Sequence, residues 1–126
     1  MTALILDAGA LIAIERDDPV VYKKIQNALR AGRPVRTNPN VVAQLWRNGA
    51  RQARLAKALR MVEVVPITRE DGYRAGVLLG ATRTKNVVDA TVALLAQADD
   101  EVSTSDPGDL KALCAATGFK AVVIRC

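Results

Sequence analysis

The chain has 126 residues, half of them hydrophobic, which is the length and apolar content of one domain with one core. No apolar run approaches the roughly 20 residues of a membrane span, and an acid at Asp7 interrupts the opening run before a secretory signal could form. The chain therefore reads as a single domain over residues 1–126, cytoplasmic and without a membrane.

Histidine is absent, which excludes Ser-His-Asp and Cys-His catalysis, histidine-pair ribonuclease chemistry and every His-containing zinc site. Cys114 and Cys126 are too few for a four-thiolate site and fit no redox spacing. One Trp, two Tyr and one Phe cannot build the multi-aromatic surfaces of RNA-binding modules. Carboxylates, amides, hydroxyls and arginines are left to carry any chemistry.

Lys plus Arg exceed Asp plus Glu by 18 to 13. Between Arg30 and Arg60 there are eight bases and no acid. Such a block favours a polyanion, because neutralised phosphates release counterions. A solvated helix face is the competing explanation.

In chain order, Ala3–Leu6 reads as a buried strand and Gly9–Glu15 as a helix. Pro19–Ala31 reads as a helix capped by Asp17 or Asp18 and stopped at Gly32. A short strand at Val35–Thr37 precedes a helical stretch opened by Asn38 or Asn40 and running to Arg60, with Asn48-Gly49 a possible break point. Strand Val62–Val65, helix Thr68–Ala81 and helix Asn86–Ala98 follow. Strand Val102–Thr104, helix Pro107–Ala116 and strand Ala121–Ile124 complete the chain. Short apolar strands alternating with helices predict a mostly parallel sheet covered on both faces, with ligands beyond the carboxyl ends of its strands.

Each acid in that region has an ordinary structural explanation. Asp7 can cap the first helix, Asn86 and Asp89 resemble a capping box, and Asp106-Pro107 with Asp109 makes a good helix start. Together they read differently. Asp7 and Asp106 each end a buried strand, and Asp89 opens the helix leading to the second. Carboxylates converging on one sheet edge repel unless a cation sits among them, and Mg²⁺ suits oxygen ligands. Gln44, Arg47, Arg51 and Arg54 would share one face of a continuous helix, and arginine's planar fork suits phosphate. An acidic metal pocket beside an arginine stripe is a coherent nuclease design.

These residues resemble the PIN-domain ribonucleases, specifically VapC-type toxins of toxin–antitoxin pairs. The matching pieces are Leu4 to Ala13, Val41 to Arg47, Val87 to Ala90 and Thr104 to Leu110, in order along nearly the whole chain. The resemblance implies an α/β/α sandwich around a parallel sheet. It also implies an Mg²⁺- or Mn²⁺-dependent endoribonuclease acting on structured cellular RNA through metal-activated water, inhibited by a cognate antitoxin and prone to homodimerise. Carried over by position, Asp7, Asp89 and Asp106 are the catalytic, metal-binding acids, Asp109 lies at the rim or contributes directly, and Thr104 supports the site. The sequence departs from the pattern at Gln44, where the family usually has glutamate. That substitution leaves open a weakened PIN-fold protein that binds RNA or antitoxin without cutting. A phosphoacceptor signalling domain, which also gathers acids around Mg²⁺, is the remote alternative.

Overall fold

The structure is a computed structural model that describes residues 2–126. Five parallel strands form one sheet: β1 (Leu4–Leu6), β2 (Val35–Thr37), β3 (Glu63–Val64), β4 (Glu101–Thr104) and β5 (Val122–Arg125). Their spatial order is β3-β2-β1-β4-β5, so the chain builds outward from β1 on one side and then crosses to build the other. Leu4, Ile5 and Leu6 are all buried because β1 is flanked by β2 and β4 and covered on both faces.

Helices α1 (Ala8–Glu15), α2 (Pro19–Arg30), α3 (Pro39–Leu45) and α4 (Ala53–Arg60) come from the β1-β2-β3 half. Helices α5 (Arg69–Thr82), α6 (Val87–Leu95) and α7 (Pro107–Ala116) come from the β4-β5 half and pack on one another. The reversal of winding puts these two sets on opposite faces, giving a three-layer α/β/α sandwich. Leu11 and Ile25 from one layer and Leu110 and Leu113 from the other close on the sheet, each fully buried. Burying a side chain of that size contributes about 1.5–3 kcal/mol. No helix is long and apolar enough to cross a membrane among the described residues.

The ends of the helices follow local chemistry. Asp18 caps α2 by accepting from the Val20 amide at 2.9 Å, and Gly32 takes the left-handed conformation after it (φ 75°). Thr68 and Asp71 form a reciprocal capping box at the start of α5. Helix α6 ends at Leu95, short of Ala98. Beyond it, the Asp100 carboxylate accepts from the Gln97 amide at 2.9 Å and from the Ala3 amide at 2.8 Å. Asp100 is thus a buried structural acid that ties the start of β1 to the turn before β4.

The stretch from Asn38 to Arg60 is not one helix. Trp46 leaves α3 in an extended conformation, and a 3-10 turn at Gly49–Arg51 separates α3 from α4. The Gln52 side-chain oxygen accepts from the Arg47 and Asn48 amides at 2.8 and 3.0 Å, and Asn48 caps the 3-10 turn through the Ala50 amide. These side-chain bonds satisfy backbone donors that a helix would otherwise have used.

Candidate functional site

The sheet reverses its winding between β1 and β4, and in such sheets the crevice opens beyond the carboxyl ends of the two strands. Asp7 directly follows β1, and Thr104 ends β4. The Thr104 hydroxyl donates to Asp7 Oδ2 at 2.8 Å and accepts from the Asp106 amide at 3.1 Å. One buried hydroxyl therefore ties the first acid to the backbone of the third. Asp7 itself is only 6 % exposed.

A glycine allows this junction. A Cβ on Gly9 would lie 2.4 Å from Ser105 Oγ and 2.6 Å from the Ser105 backbone nitrogen. The first turn of α1 can approach the loop after β4 only because that atom is missing. Arg125 holds the same loop from β5, donating to the Ser105 carbonyl at 3.0 Å. Gly9→Ala forces the loop away and costs about 1–3 kcal/mol, the usual penalty of overpacking. Denaturant unfolding of the variant checks this; a midpoint equal to that of the wild type contradicts the close approach.

The capping explanations can be compared with what the side chains do. Asp7 and Asp106 occupy the N-cap positions of α1 and α7, yet neither carboxylate makes a capping hydrogen bond. Asn86 caps α6 through the Asp89 amide at 3.0 Å, without the reciprocal bond that Asp71 returns in α5. Elsewhere in the chain, Asp18 and Asp71 do cap. The acids at the carboxyl edge are thus free of the local duty that their positions would suit.

Their electrostatics link them. Burial pushes the Asp89 carboxyl up to about 6, and the negative charges of Asp7, Asp109 and Asp106 add to the rise. Asp89 therefore feels all three other acids, although it begins a different helix. The three sit at the N-terminal ends of α1 and α7, where the helix dipole favours negative charge. That stabilisation does not remove the repulsion felt at Asp89.

Repulsion reaches further than coordination. Among the described residues, no three Asp, Glu or Cys side chains are grouped as a ready-made metal cage. Asp106 and Asp109 are exposed, and Asp89 is half-buried. The donor chemistry nevertheless fits a hard divalent cation: oxygen ligands only, mutually repelling, beside open solvent. Mg²⁺ keeps several of its waters and is commonly held by one or two carboxylates. Asp7, Asp89 and Asp106 are the residues that could hold it, with Asp109 beside them.

Gln44 lies exposed on α3, one residue before the helix ends at Leu45. Helix α3 packs against both α1 and α6, and so reaches both layers above the carboxyl end of β2. Neither nearby glutamate is available in its place. Glu15 accepts from the Gln52 side chain at 2.6 Å, and Glu63 pairs with Arg36 at 3.1 Å.

The break after α3 divides the arginine stripe. Arg47, in the connection after α3, donates to the carbonyls of Ala43 and Trp46 at 3.0 and 2.7 Å and so caps the C-terminal end of that helix. Arg54 donates to the Glu15 carbonyl at 3.1 and 3.2 Å, capping α1. Arg51 is exposed and joins no ion pair among the described residues. All three guanidiniums remain at the surface, but they are not one helical row.

A separate cavity of about 320 Å³ is lined by Arg36, Asn38, Glu63, Thr91 and Gln97, among others, and by none of Asp7, Asp89, Asp106 and Asp109. Inside it Asn38 is buried, donating to the Thr91 hydroxyl at 3.2 Å and capping α3 through the Val41 amide. Sequence reading did not single out Thr91 or Asn38 as a pair, because two polar residues 53 positions apart give no local signal.

No family model matches the sequence, and no curated protein sequence does. Among solved structures, the chain resembles one from VapBC2 of Rickettsia felis, crystallised bound to a DNA fragment from their promoter. The match covers 99 % of both chains with a TM-score of 0.71 at 13 % sequence identity, a likeness of fold.

Proposed function

We propose that this chain is a metal-dependent endoribonuclease toxin of the VapC type, paired with an antitoxin protein. What supports the reading is that Asp7 and Asp106 follow the neighbouring strands β1 and β4 with their carboxylates spared from capping, and that both, with Asp109, raise the Asp89 carboxyl. Motif order and the fold shared with a VapBC2 chain support the same family.

Mg²⁺ or Mn²⁺, when bound by these acids, supplies activation of water and neutralises charge developing on the phosphodiester. The chain's own residues do the positioning. Thr104 fixes the Asp7 carboxylate by donating to one oxygen, which leaves the other free to accept. The same hydroxyl accepts from the Asp106 amide and holds the start of α7 in register with β1. Asp89, pushed up to about 6 by burial and its acidic neighbours, would be held in its ionised form by a bound cation. Arg47, Arg51 and Arg54 would meet RNA phosphates from the α3–α4 connection, each as a separate contact.

Gln44 favours a second reading, in which the same fold binds RNA or antitoxin but cuts weakly or not at all. An amide offers a carbonyl oxygen, yet it brings no negative charge and cannot act as a base. Gln44→Glu is therefore expected to bind divalent metal about tenfold more tightly, since ligand charge tunes the affinity of such sites. Equal Mg²⁺ titrations for the two proteins contradict that expectation.

Cleavage of total cellular RNA by antitoxin-free protein, with Mg²⁺, with Mn²⁺ and with EDTA, tests the function. Discrete fragments that require metal support the nuclease. Activity from Gln44→Glu alone would establish the weakened reading, and silence from both would remove the enzyme from the account.

A further inference from the structure

We propose that Trp46 is a base-stacking contact that holds an unpaired nucleotide of single-stranded RNA, a role that rests on RNA being the substrate. It is the chain's single tryptophan, and 40 % of it is exposed. A large aromatic side chain left at the surface leaves apolar area in contact with water and invites a partner for its ring face.

The indole is held rather than loose. Trp46 steps out of α3 with its amide still bonded to the Val42 carbonyl at 2.8 Å. The following amides, those of Arg47 and Asn48, are both bound by the Gln52 side chain. The ring lies against Gly49, where an added Cβ would come within 2.7 Å of Cζ2. A ring fixed in this way binds without first losing its own rotational freedom.

Its surroundings select the partner. Trp46 stands inside the acid-free block from Arg30 to Arg60, with the Arg47 guanidinium anchored on its carbonyl and Arg51 exposed on the next turn. Cations beside an exposed indole match a strand that carries a phosphate and a base at each step. An apolar protein segment would use the ring face and leave these cations unused, whereas RNA uses both. The place in the fold agrees. Helix α3 touches α1 and α6, the helices that follow Asp7 and carry Asp89, and Trp46 ends α3 two residues beyond Gln44. A single indole is one anchoring contact on an electrostatic surface, not the multi-aromatic sheet that composition excludes.

Because no other tryptophan is present, fluorescence excited at wavelengths beyond tyrosine absorption reports on this residue alone. A short unstructured oligoadenylate RNA, end-labelled, is titrated in EDTA so that binding is read without cleavage. Quenching of Trp46 is expected, together with an affinity about tenfold lower in Trp46→Ala and nearly retained in Trp46→Phe. The salt slope of binding stays unchanged in Trp46→Ala but falls by about one in Arg51→Ala, which loses a phosphate contact. Gly49→Ala keeps the tryptophan but displaces its ring, and weakens binding in the same direction. A folded Trp46→Ala that binds as tightly as the wild type overturns the inference and leaves the indole to a protein partner. Wild-type protein that does not bind RNA by anisotropy overturns the polyanion reading as well.

Discussion

On the proposed function, Asp7→Ala is expected to lower metal-dependent RNA cleavage by at least about a hundredfold, the usual scale for removing one group that stabilises charge in a reacting site. The effect is expected to be larger than for any other single acid, because Asp7 is the most buried of the four and the one held by a dedicated hydroxyl. Without its carboxylate, Thr104 keeps only the Asp106 amide, and the start of α7 loses its link to β1. Thr104→Val leaves the charge in place but frees its orientation, so its loss of activity is smaller than that of Asp7→Ala. Rates on one RNA substrate at saturating Mg²⁺ give the order directly. A Thr104→Val protein as inactive as Asp7→Ala would show that orientation, not charge, is what Asp7 supplies.

Asp89→Asn stabilises the metal-free protein at pH 7 and abolishes most of the stabilisation that Mg²⁺ gives. The sign follows from the direction of the shift. Burial and its acidic neighbours push Asp89 up to about 6 in the fold, above its ordinary value of 3.8. The stability this group contributes is fully present below 3.8 and is lost as pH rises through about 6. Burial and three neighbouring carboxylates make its charge unwelcome at neutral pH, and asparagine removes that charge. In EDTA, thermal unfolding should show Asp89→Asn above the wild type at pH 7, with the two converging toward pH 4. With Mg²⁺ the order reverses, because the cation relieves the repulsion only where the carboxylate is present. Coincident curves from pH 4 to pH 8 in EDTA would mean that the acids do not share a site.

The two variants separate function from stability. A cluster of acids that weakens the empty fold and strengthens the loaded one is expected of a binding site, and it would be a defect in a purely structural one.

Much of this arrangement was legible in the sequence. An apolar triplet followed by Asp7, and a second strand ending just before Asp106, place two acids at strand ends from local pattern alone. The rule that ligands sit beyond the carboxyl ends of parallel strands then brings them together. The caps of α2, α3 and α6 at Asp18, Asn38 and Asn86 could be read locally, because a cap acts within three residues.

What could not be read depends on contacts between distant residues. The strand order that makes β1 and β4 neighbours is set by packing across the whole chain. Asp100 resembles any exposed loop acid until Ala3, 97 residues earlier, donates to it. Asn48-Gly49 signalled a possible break, but the conformation of Trp46 and the turn after it depend on the Gln52 side chain folding back. That break turns a predicted arginine row into two helix caps and one free guanidinium. Gly9 looked like an ordinary helix residue; its need for space appears only when Ser105 lies against it.

Mn²⁺ titration followed by electron paramagnetic resonance, with Mg²⁺ as competitor, tests most directly the claim that Asp7, Asp89 and Asp106 surround one cation. The account predicts one Mg²⁺-displaceable ion per chain in the wild type and its loss in Asp7→Asn, while Asp18→Asn, which alters a helix cap on α2, retains it. Equal binding by all three proteins, or none by the wild type, would contradict it.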